Sequence, residues 1–490
     1  MSALAGQDQE LPQPPPPPRP TLQEVTAAED RIEELSDSEW ESQDSEAQDS
    51  DTMATPKITP SEYVRSVTIP IQDKLATGTT EVQDETLEAV LPFLQGNPND
   101  FELNMFGLPT LRKEAHIKFL KHALGRYPSN FAAMDAARPW LLYWSLQGLT
   151  ALGHDVSEYG ERVVSTFAPF QHPTGGFGGG HGQLPHLACS YAATLSLIIV
   201  GTPSAYDSIN RRTMWHYLGR MKQPDGGFTM CPGGEEDTRG AFIALVIISL
   251  LNLPLDLPPD APARKTGLTT FLDHLGDWIG RCQTFEGGIS AAPGNEAHGA
   301  YAFCALGCLS IMGAPASTFN KYLDMPRLLH WMTARQSAPE GGFHGRTNKL
   351  VDGCYSHWIG GCWPLVEAAG YTNIWNRNAL ARYILAAAQF KKGGLVDKPG
   401  KRPDAYHTCY NLAGLSAAQW RFAYDGGVEV EGEVGKGDLG AAFCWRVEGE
   451  WEDQRVWGEG DTVRVVHPVF VVPWGKAEEA RRYFEEKEGF

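Results

Sequence analysis

The chain has 490 residues, and 41 Lys and Arg against 60 Asp and Glu give it a formal net charge of −19. Nucleic acid is excluded as the main partner, because phosphate binding needs a basic surface. No apolar run approaches the roughly 20 residues that span a bilayer, and the N-terminus shows no secretory pattern. The nine Cys are an odd number and several lie singly in apolar segments, which predicts reduced thiols and a cytoplasmic protein without a membrane span.

Residues 1–55 contain the proline run Pro14–Pro18 and then an acidic tract rich in Ser, Gln, Asp and Glu. Residues 1–51 hold 14 Asp and Glu and two Arg, a net charge of −12. So little apolar surface cannot offset the entropy lost on ordering, and the sequence therefore predicts a disordered tail. A solvated spacer is favoured over a regulatory or partner-binding tail.

Residues 56–424 are predicted to form one domain, and from residue 171 onward a motif of Gln, Gly-Gly and a hydrophobic residue recurs five times. The first glycines of the copies are separated by 51, 61, 54 and 52 residues. They are Gly175, Gly226, Gly287, Gly341 and Gly393. A period near 50 residues with paired glycines indicates a repeat architecture.

Each repeat contains two kinds of predicted helix. Amphipathic stretches precede the glycines, as in Met325–Gln336 and Asn376–Gln389. Segments that are apolar nearly all round follow them: Ala188–Val200, Gly240–Leu251, Gly299–Met312, Cys354–Ala369 and His407–Trp420. A helix that is apolar on every side must be buried, whereas its partner can face water. The sequence thus predicts an all-α fold, an α/α barrel (toroid) of repeated helical hairpins; a propeller of similar period would need four short strands per repeat.

Three further segments flank the repeats. Asp135–Leu152 is predicted to be another inner helix, with Asp135 as its cap and Pro139 in its first turn. Residues 425–465 are Gly- and Glu-rich and are predicted to form a long acidic loop. Residues 466–490 are predicted to form a C-terminal segment that ends in an amphipathic helix, Lys476–Lys487.

Polar side chains recur where the inner helices are predicted to begin. They are His186, Arg239, His298, Asp352, Cys354 and His407. Equivalent positions in a closed ring of hairpins lie at one end of it, so we expect these groups to meet at one mouth. The helix N-termini there favour an anion.

Asp352, Cys354 and His407 form a candidate metal site. Their O, S and N donors suit Zn²⁺ and leave a fourth position open, as in catalytic zinc sites. The alternative treats Cys354 as a core thiol and Asp352 as a helix cap. The His at the equivalent position of the next inner helix, and the basic cluster nearby, favour the metal site.

Cations and aromatic side chains complete the predicted mouth. His298, Arg346, Lys349 and Tyr355 supply donors for a diphosphate or similar polyanion; the alternative for the two basic residues is a solvated loop. An apolar pocket for a long hydrocarbon is predicted from a set of aromatic residues. The set is Trp140, Trp144, Tyr301, Trp358, Tyr406 and Tyr410. Together these features suggest isoprenyl transfer from a diphosphate to a thiol.

Several segments resemble the β-subunit family of protein farnesyltransferases, within the protein prenyltransferases, over roughly residues 75–425 and the final helix. They are DAARPWLLYW (135–144), GGFGGGHGQLPHLA (175–188), EEDTRGAF (235–242), GNEAHGAYAFCALG (294–307), GGFHGRTNKLVDGCYSHW (341–358) and GGLVDKPGKRPDAYHTCYNLAGLSAAQ (393–419). The resemblance implies one zinc ion per β subunit, a separate α subunit, and farnesyl transfer from farnesyl diphosphate to the Cys of CaaX-terminated proteins such as small GTPases. Mg²⁺ beside the diphosphate is compatible with it.

The resemblance also assigns roles to individual residues. The implied zinc ligands are Asp352, Cys354 and His407, and catalysis is assigned to these and Tyr355. The implied diphosphate-binding residues are His298, Arg346, Lys349 and Tyr355. The implied isoprenoid contacts are Arg239, Tyr301, Cys304, Trp358 and Trp140. The implied peptide-pocket residues are Trp140, Trp144, His186, Ala188 and Tyr406. Asp404, three residues before His407, would either support that ligand or belong to the product site.

Bulky Trp140 and Tyr410 favour farnesyl over the longer geranylgeranyl group, because sister enzymes have a small residue where a Trp closes the pocket. Phe242, Cys189 and Ala137 depart from the family pattern, and the last two leave the preference for the final CaaX residue open. Three alternatives remain: a type I geranylgeranyltransferase β subunit, a non-catalytic helical scaffold for protein binding, and a triterpene cyclase. The cyclase would need an Asp-x-Asp-Asp motif, which the sequence lacks.

Overall fold

A computed structural model of the chain describes residues 75–490 apart from 126, 128, 338, 427–438, 454 and 488–489. The predicted disordered tail, residues 1–55, therefore lies outside the described residues. The described residues from 75 to 127 and from 134 to 490 belong to one compact unit, and residues 129–133 are the described part of a second. All elements discussed below belong to the larger unit.

Helices dominate the larger unit. They are α1 (Gly78–Gln95), α2 (Lys113–Ala123), α3 (Arg138–Ala151), α4 (Gly160–Phe167), α5 (Leu187–Val200), α6 (Pro203–Asp207), α7 (Arg211–Met221), α8 (Thr238–Leu250), α9 (Leu275–Arg281), α10 (Gly299–Met312), α11 (Pro315–Tyr322), α12 (Met325–Thr333), α13 (Tyr355–Trp358), α14 (Cys362–Ala368), α15 (Arg377–Ala387), α16 (Ala405–Gln419) and α17 (Lys476–Glu486). Strands β1 (Trp420–Tyr424) and β2 (Trp445–Glu450) pair antiparallel. Across the described ranges, no helix combines the length and the apolar character needed to span a bilayer.

The inner helices close a ring. Helix α3 packs against α5, α5 against α8, α8 against α10, α10 against α13 and α14, α13 against α16, and α16 returns to α3. These helices are buried on nearly every side; in α5 only Ala188 is partly exposed. The all-α toroid is therefore confirmed, and the apolar character of the inner segments has the expected cause, burial on all faces.

The outer helices α2, α4, α7, α9, α12 and α15 precede the inner helices in sequence, and most of them bury one side. In α12, for example, Met325, Leu328, Trp331 and Met332 are buried, at the three- and four-residue spacing of one helix face. Each outer helix is followed by a turn that carries the Gln and Gly-Gly of one repeat, except α2, which precedes the first of them.

The glutamine of the motif joins neighbouring hairpins. The side chain of Gln283 donates to the carbonyl of Asp324 at 3.0 Å and accepts from its N–H at 2.8 Å, at the start of the next outer helix. Gln336 binds the backbone of Asn376 in the same way, at 2.8 and 3.0 Å. The last copy, Gln389, accepts from the N–H of Arg112 before α2, so the same contact closes the ring.

The first glycine of each pair is required by a close approach. Gly287 has φ +100°, and a Cβ there would lie 2.3 Å from the carbonyl oxygen of Arg327 in the next outer helix. Gly393 has φ +104°, and its Cβ would lie 2.3 Å from the carbonyl oxygen of Ala115 in α2. A side chain is excluded at these positions by conformation and by contact together.

Two predicted helices differ from the structure. The segment Cys354–Ala369 is not one helix, because Gly360 and Gly361 interrupt it between α13 and α14, where paired glycines weaken a helix. At α3, Asp135 is not the cap; it pairs with Arg138 and accepts a hydrogen bond from the Gln183 side chain at 2.7 Å. The helix starts after Ala137 without a side-chain cap, while Pro139 does lie in its first turn.

The prediction of a loop over residues 425–465 is wrong at β2, which pairs with β1 directly after α16. The strands are only six and five residues long, and β1 begins at Trp420, which the sequence analysis had placed in the preceding helix. The final helix is confirmed as α17 and packs against α5 and α8.

Candidate active site

The starts of five inner helices share one structural feature. At or just before each start, a side chain accepts a hydrogen bond from a backbone N–H two or three residues later, at 2.7 to 3.1 Å. The five residues are His186, Asp237, His298, Asp352 and Asp404. Each stands 11 residues after the first glycine of its repeat, so the repeat brings all five to the same end of the ring.

Asp352, Cys354 and His407 meet at this end. One oxygen, the sulfur and one ring nitrogen from the three side chains all lie within 4.8 Å of one another. Nε2 of His407 is 3.2 Å from Oδ1 of Asp352, although the two residues come from different hairpins. The spacing prediction therefore agrees with the geometry, and the donor set of one oxygen, one sulfur and one nitrogen suits a zinc ion.

Asp404 holds the imidazole of His407 in place. Its carboxylate accepts the backbone N–H of His407 at 2.7 Å and lies 2.7 Å from Nδ1 of the ring. Because Nδ1 is bound to Asp404, Nε2 is the nitrogen that faces Asp352 and Cys354. A carboxylate behind a histidine ligand fixes the ring orientation and raises its basicity.

The electrostatics of the cluster follow from burial and these contacts. Burial alone would lower the pKa of His407, but its hydrogen bonds to Asp352 and Asp404 raise it. Burial would raise the pKa of Asp352, but the bond to His407 holds it at about 2. Burial raises the pKa of the Cys354 thiol to about 12. Two carboxylates beside one imidazole thus make a site that accepts added positive charge.

The predicted diphosphate residues lie next to the candidate metal site formed by Asp352, Cys354 and His407. The hydroxyl of Tyr355, one residue after Cys354, is 3.1 Å from Nε2 of His298. Burial, with Arg346 nearby, lowers the pKa of His298 to about 4, so the ring is neutral at pH 7. Nη1 of Arg346 lies 3.0 Å from Glu296, and Lys349 is exposed on the same loop. His298, Tyr355 and Arg346, three of the four predicted diphosphate residues, are therefore close in space.

The predicted isoprenoid-binding residues lie beside His298, starting with Tyr301. The guanidinium of Arg239 lies 5.8 Å from the ring centre of Tyr301 and is bound by the buried Asp237 at 3.0 and 3.1 Å. Tyr301 is 5.2 Å from the ring of His298, and Cys304 is buried one turn further along the same helix. Burial raises the pKa of the Cys304 thiol, which makes it an apolar contact rather than a nucleophile.

Eight aromatic side chains form a closed circuit, which we call the aromatic girdle. Neighbouring ring centres are 4.6 to 6.0 Å apart. In order, the members are Trp140, Tyr191, Phe242, Phe303, Trp358, Tyr410, Tyr406 and Trp144. They come from α3, α5, α8, α10, α13 and α16, so the circuit follows the inner ring. Three members, Tyr191, Phe242 and Phe303, are not in the aromatic set predicted from sequence; period alone does not show which face of a buried helix they occupy.

Three of the five predicted peptide-pocket residues, Trp140, Trp144 and Tyr406, are themselves members of the girdle. Trp144 packs on Tyr406 with ring centres 5.2 Å apart, and Tyr406 contacts His407 at 5.0 Å. The hydroxyl of Tyr406 accepts from Nε1 of Trp358 at 3.1 Å. Tyr406 and Trp144 therefore adjoin the candidate metal site, and Trp140 stacks on Trp144 at 5.5 Å. His186 and Ala188, the other two of the five, stand at the start of α5.

The sequence analysis missed Asp397 and Lys398. Burial, and then the charge of Asp352, raise the pKa of Asp397, while its partner Lys398 lowers it. The carbonyl of Asp397 also accepts the N–H of Gly353, between two of the predicted ligands, at 2.8 Å. The sequence signal was present, since these residues follow the fifth Gly-Gly, but nothing in the repeat distinguishes them from a turn.

Comparison with known proteins defines the class that this fold and site represent. Residues 111–472 match the family described as the prenyltransferase alpha-alpha toroid domain. The β subunit of protein farnesyltransferase from Pyricularia oryzae is 48% identical over 439 residues, covering 86% of this chain and 83% of the relative. The corresponding subunit from Schizosaccharomyces pombe is 35% identical, covering 84% and 97% of the two chains.

A solved structure supports the same fold. Candida albicans protein geranylgeranyltransferase-I in complex with GGPP matches with a TM-score of 0.57 and 21% identity, covering 78% of this chain and all of that one. Its low identity makes it evidence for the fold alone. The chain belongs to the prenyltransferase α–α toroid family and, within it, to the family of protein farnesyltransferase β subunits.

Proposed function

We propose that this chain is the catalytic β subunit of a zinc-dependent protein farnesyltransferase, which transfers farnesyl from farnesyl diphosphate to the Cys thiol of a C-terminal CaaX sequence. The observation that carries the proposal is the cluster of Asp352, Cys354 and His407, whose ligand atoms lie within 4.8 Å beside the aromatic girdle. A metal site adjoining a long apolar surface suits a reaction between a thiol and an isoprenoid.

The residues present fit a zinc ion. Asp352, Cys354 and His407 would hold it with three donors, and Asp404 already fixes the imidazole from behind. The ion, when bound, supplies the positive charge that keeps a peptide thiol ionised near neutral pH. A fourth ligand position is left for that thiol, as in other catalytic zinc sites.

The chain's own groups act on the leaving diphosphate. The Nε2 of His298 and the hydroxyl of Tyr355 lie 3.1 Å apart, and both can donate to phosphate oxygens. Arg346 and Lys349 add positive charge from the adjacent loop. As the C1–O bond of the isoprenoid breaks and the C1–S bond forms, negative charge builds on the diphosphate oxygens, where these donors stabilise it. Mg²⁺ beside the diphosphate would add to the same effect.

The aromatic girdle would hold the farnesyl chain, with Trp140 limiting its length. Trp140 stacks on Trp144 at 5.5 Å and contacts Tyr191 at 5.8 Å, so it is fixed by neighbours on two helices. This packing favours farnesyl over the alternative of a type I geranylgeranyltransferase. A non-catalytic scaffold would have no use for the metal cluster.

The partners follow from the same assignment. We propose an α subunit as the obligate partner, CaaX-terminated proteins such as small GTPases as substrates, and the cytoplasm as the compartment. No residue of this chain is assigned to the α-subunit contact.

The test is thioether formation by the heterodimer of this chain and the α subunit of the same organism. A CaaX peptide is incubated with farnesyl or geranylgeranyl diphosphate, and the product is identified by mass. Farnesylation should dominate, and Cys354→Ala should abolish it. Cys282→Ala is the matched control, because it removes a buried thiol from the end of an outer helix. Full activity of Cys354→Ala, or preferred transfer of geranylgeranyl, would contradict the proposal.

A further inference from the structure

The loop of residues 345–349, which we call the cationic loop, carries both Arg346 and Lys349. Its start is fixed by the backbone, because the carbonyl of Gly345 accepts the N–H of Gly299 at 2.9 Å. Gly345 also lies under Tyr355, since a Cβ there would be 2.0 Å from the ring. These contacts hold the first residue of the loop, but they do not reach the residues that carry the charges.

Side-chain contacts fix the middle of the cationic loop. The hydroxyl of Thr347 donates to Oε2 of Glu286 at 2.5 Å and accepts from Nη1 of Arg335 at 2.9 Å. Glu286 belongs to the Gly-Gly turn of the preceding repeat, and Arg335 follows α12, the outer helix of the loop's own repeat. One hydroxyl therefore connects the loop to two separate turns.

Arg335 is a firm anchor for this connection. It is 5% exposed, and its guanidinium lies 4.9 Å from the ring centre of Trp331. Burial lowers the pKa of Arg335, while the charge of Glu286 raises it. Since a buried guanidinium is costly without acceptors, Arg335 resists moving away from the Thr347 hydroxyl and the Glu286 charge.

The backbone of the loop needs such a tie. Asn348, between Thr347 and Lys349, has φ +59°, a left-handed conformation that non-glycine residues adopt infrequently. The turn is closed by one backbone bond, from the N–H of Lys349 to the carbonyl of Arg346, at 3.3 Å. The backbone of the loop alone therefore does little to hold Arg346 and Lys349 in this arrangement.

We propose that Thr347 is a positioning residue for diphosphate binding, through its hydroxyl bonds to Glu286 and Arg335. It does not touch the substrate in this account; it holds the loop whose cations do. The inference rests on the proposed function, because it requires the cationic loop to bind the diphosphate of the isoprenoid substrate.

The test uses three variants of the full heterodimer. Thr347→Val keeps the shape and removes the hydroxyl, Thr347→Ser keeps the hydroxyl, and Thr166→Val is a control on an outer helix, where the hydroxyl binds only the Arg162 carbonyl. The measurements are the KM for farnesyl diphosphate, the KM for a CaaX peptide, the inhibition constant of inorganic pyrophosphate, zinc content and Tm.

We expect Thr347→Val to raise the KM for farnesyl diphosphate and the inhibition constant of pyrophosphate about two- to tenfold, the loss typical of one or two hydrogen bonds. The KM for the peptide and the zinc content should stay unchanged, and Thr347→Ser should restore the wild-type values. Equal constants for Thr347→Val and wild type would overturn the inference, as would a Thr347→Ser variant as impaired as Thr347→Val. The inference would also be overturned if Thr347→Val weakened the binding of diphosphate, peptide and zinc alike and lowered the Tm as well. Absence of diphosphate binding by the wild-type heterodimer would instead refute the proposed function itself.

Discussion

At the scale of single residues, the surroundings of His407 give the clearest indication of metal binding. Its ring lies between Asp352 at 3.2 Å and Asp404 at 2.7 Å, with Cys354 completing the cluster. Without the carboxylate of Asp404, the imidazole could rotate or change tautomer. Nε2 would then no longer be held as a donor towards Asp352 and Cys354.

Replacing Asp404 by Ala should weaken zinc binding about 10- to 100-fold, the range found when the partner of a histidine ligand is removed. Zinc affinity is measured by competition with a chelator. Asp324→Ala is the matched control, because Asp324 caps the outer helix α12 in the same way and has no metal ligand beside it. Both variants should lose about 1 kcal/mol of stability through the missing cap. Equal zinc affinity in the two would contradict the role given to Asp404.

Whereas Asp404 is expected to strengthen zinc binding, Glu296 is expected to weaken diphosphate binding. It pairs with Arg346 at 3.0 Å on the surface of the mouth, so it competes with an incoming phosphate. Glu296→Gln should therefore lower the inhibition constant of pyrophosphate about two- to fivefold, the range expected for an exposed ion pair. Glu448→Gln, which removes a similar exposed partner of Arg446, should change nothing. Weaker pyrophosphate inhibition of Glu296→Gln would show that Glu296 assists binding instead.

The positions of single residues in the fold agree with prediction where the repeat fixes the spacing, while their roles stay predictions. Asp352 and His298 were found because equal spacing in a repeat means an equal place in the fold. Asp237 and Asp404 stand at the same spacing, yet their capping role is visible only once the helix starts are known. Asp397 and Lys398 could not be distinguished from ordinary turn residues in the sequence, because the raised pKa of Asp397 comes from its burial and from the charge of Asp352 in the folded chain.

At the scale of elements, the Gln and Gly-Gly motif explains how the hairpins are joined. The glycine permits the approach of the next outer helix, and in four repeats the glutamine binds the backbone near the start of the next outer helix. The sequence shows the motif and its period, but not this function, since the partner backbone lies about 40 residues away in most repeats and before the first repeat in the last.

Gln389 is the copy that closes the ring, and it is 3% exposed. Its side chain binds the N–H of Arg112, Nε2 of His116 and the carbonyl of Thr110, each at 2.9 Å. Gln389→Ala should lower the free energy of unfolding by about 1–3 kcal/mol, because buried polar partners lose their bonds. The change is read as a lower Tm of the heterodimer.

Gln223→Ala is the control for this experiment, because the amide of Gln223 donates within its own repeat, to the Met221 carbonyl at 2.9 Å. It should cost less than Gln389→Ala. If the two variants had the same Tm, the bond to the next hairpin would not be what stabilises the ring.

Prediction of the elements was limited where local preference and context disagree. The inner segment from Cys354 to Ala369 is apolar throughout, so periodicity alone joined α13 to α14 across Gly360 and Gly361. The pairing of β1 with β2 was not predicted, because strands of five and six residues carry little alternation. The toroid itself was predictable, since a 50-residue period with alternating helix types has few other packing solutions.

At the scale of the whole molecule, six inner helices contribute to one aromatic girdle, next to one candidate metal site. Neither feature exists within a single hairpin. The girdle closes because α16 packs on α3, which brings Tyr406 within 5.2 Å of Trp144. Under the proposed function, substrate choice is therefore a property of the closed ring.

Trp140→Thr should admit the longer isoprenoid, because it removes a large side chain held between Trp144 and Tyr191. The measurement is the ratio of kcat/KM for geranylgeranyl over farnesyl diphosphate, which should rise at least tenfold, roughly the effect of 1.4 kcal/mol. Trp215→Thr, on the outer helix α7, should leave the ratio unchanged. An unchanged ratio in Trp140→Thr would remove the structural reason for farnesyl selectivity.

We propose that side chains from two hairpins hold one zinc ion at the mouth of the toroid. The decisive measurement is the zinc content per purified heterodimer, determined by plasma mass spectrometry after dialysis against a mild chelator. We expect one zinc ion per heterodimer in the wild type and in Cys282→Ala, and none in Cys354→Ala or His407→Ala. A full equivalent of zinc in the last two variants, or an active wild-type enzyme free of zinc, would contradict it.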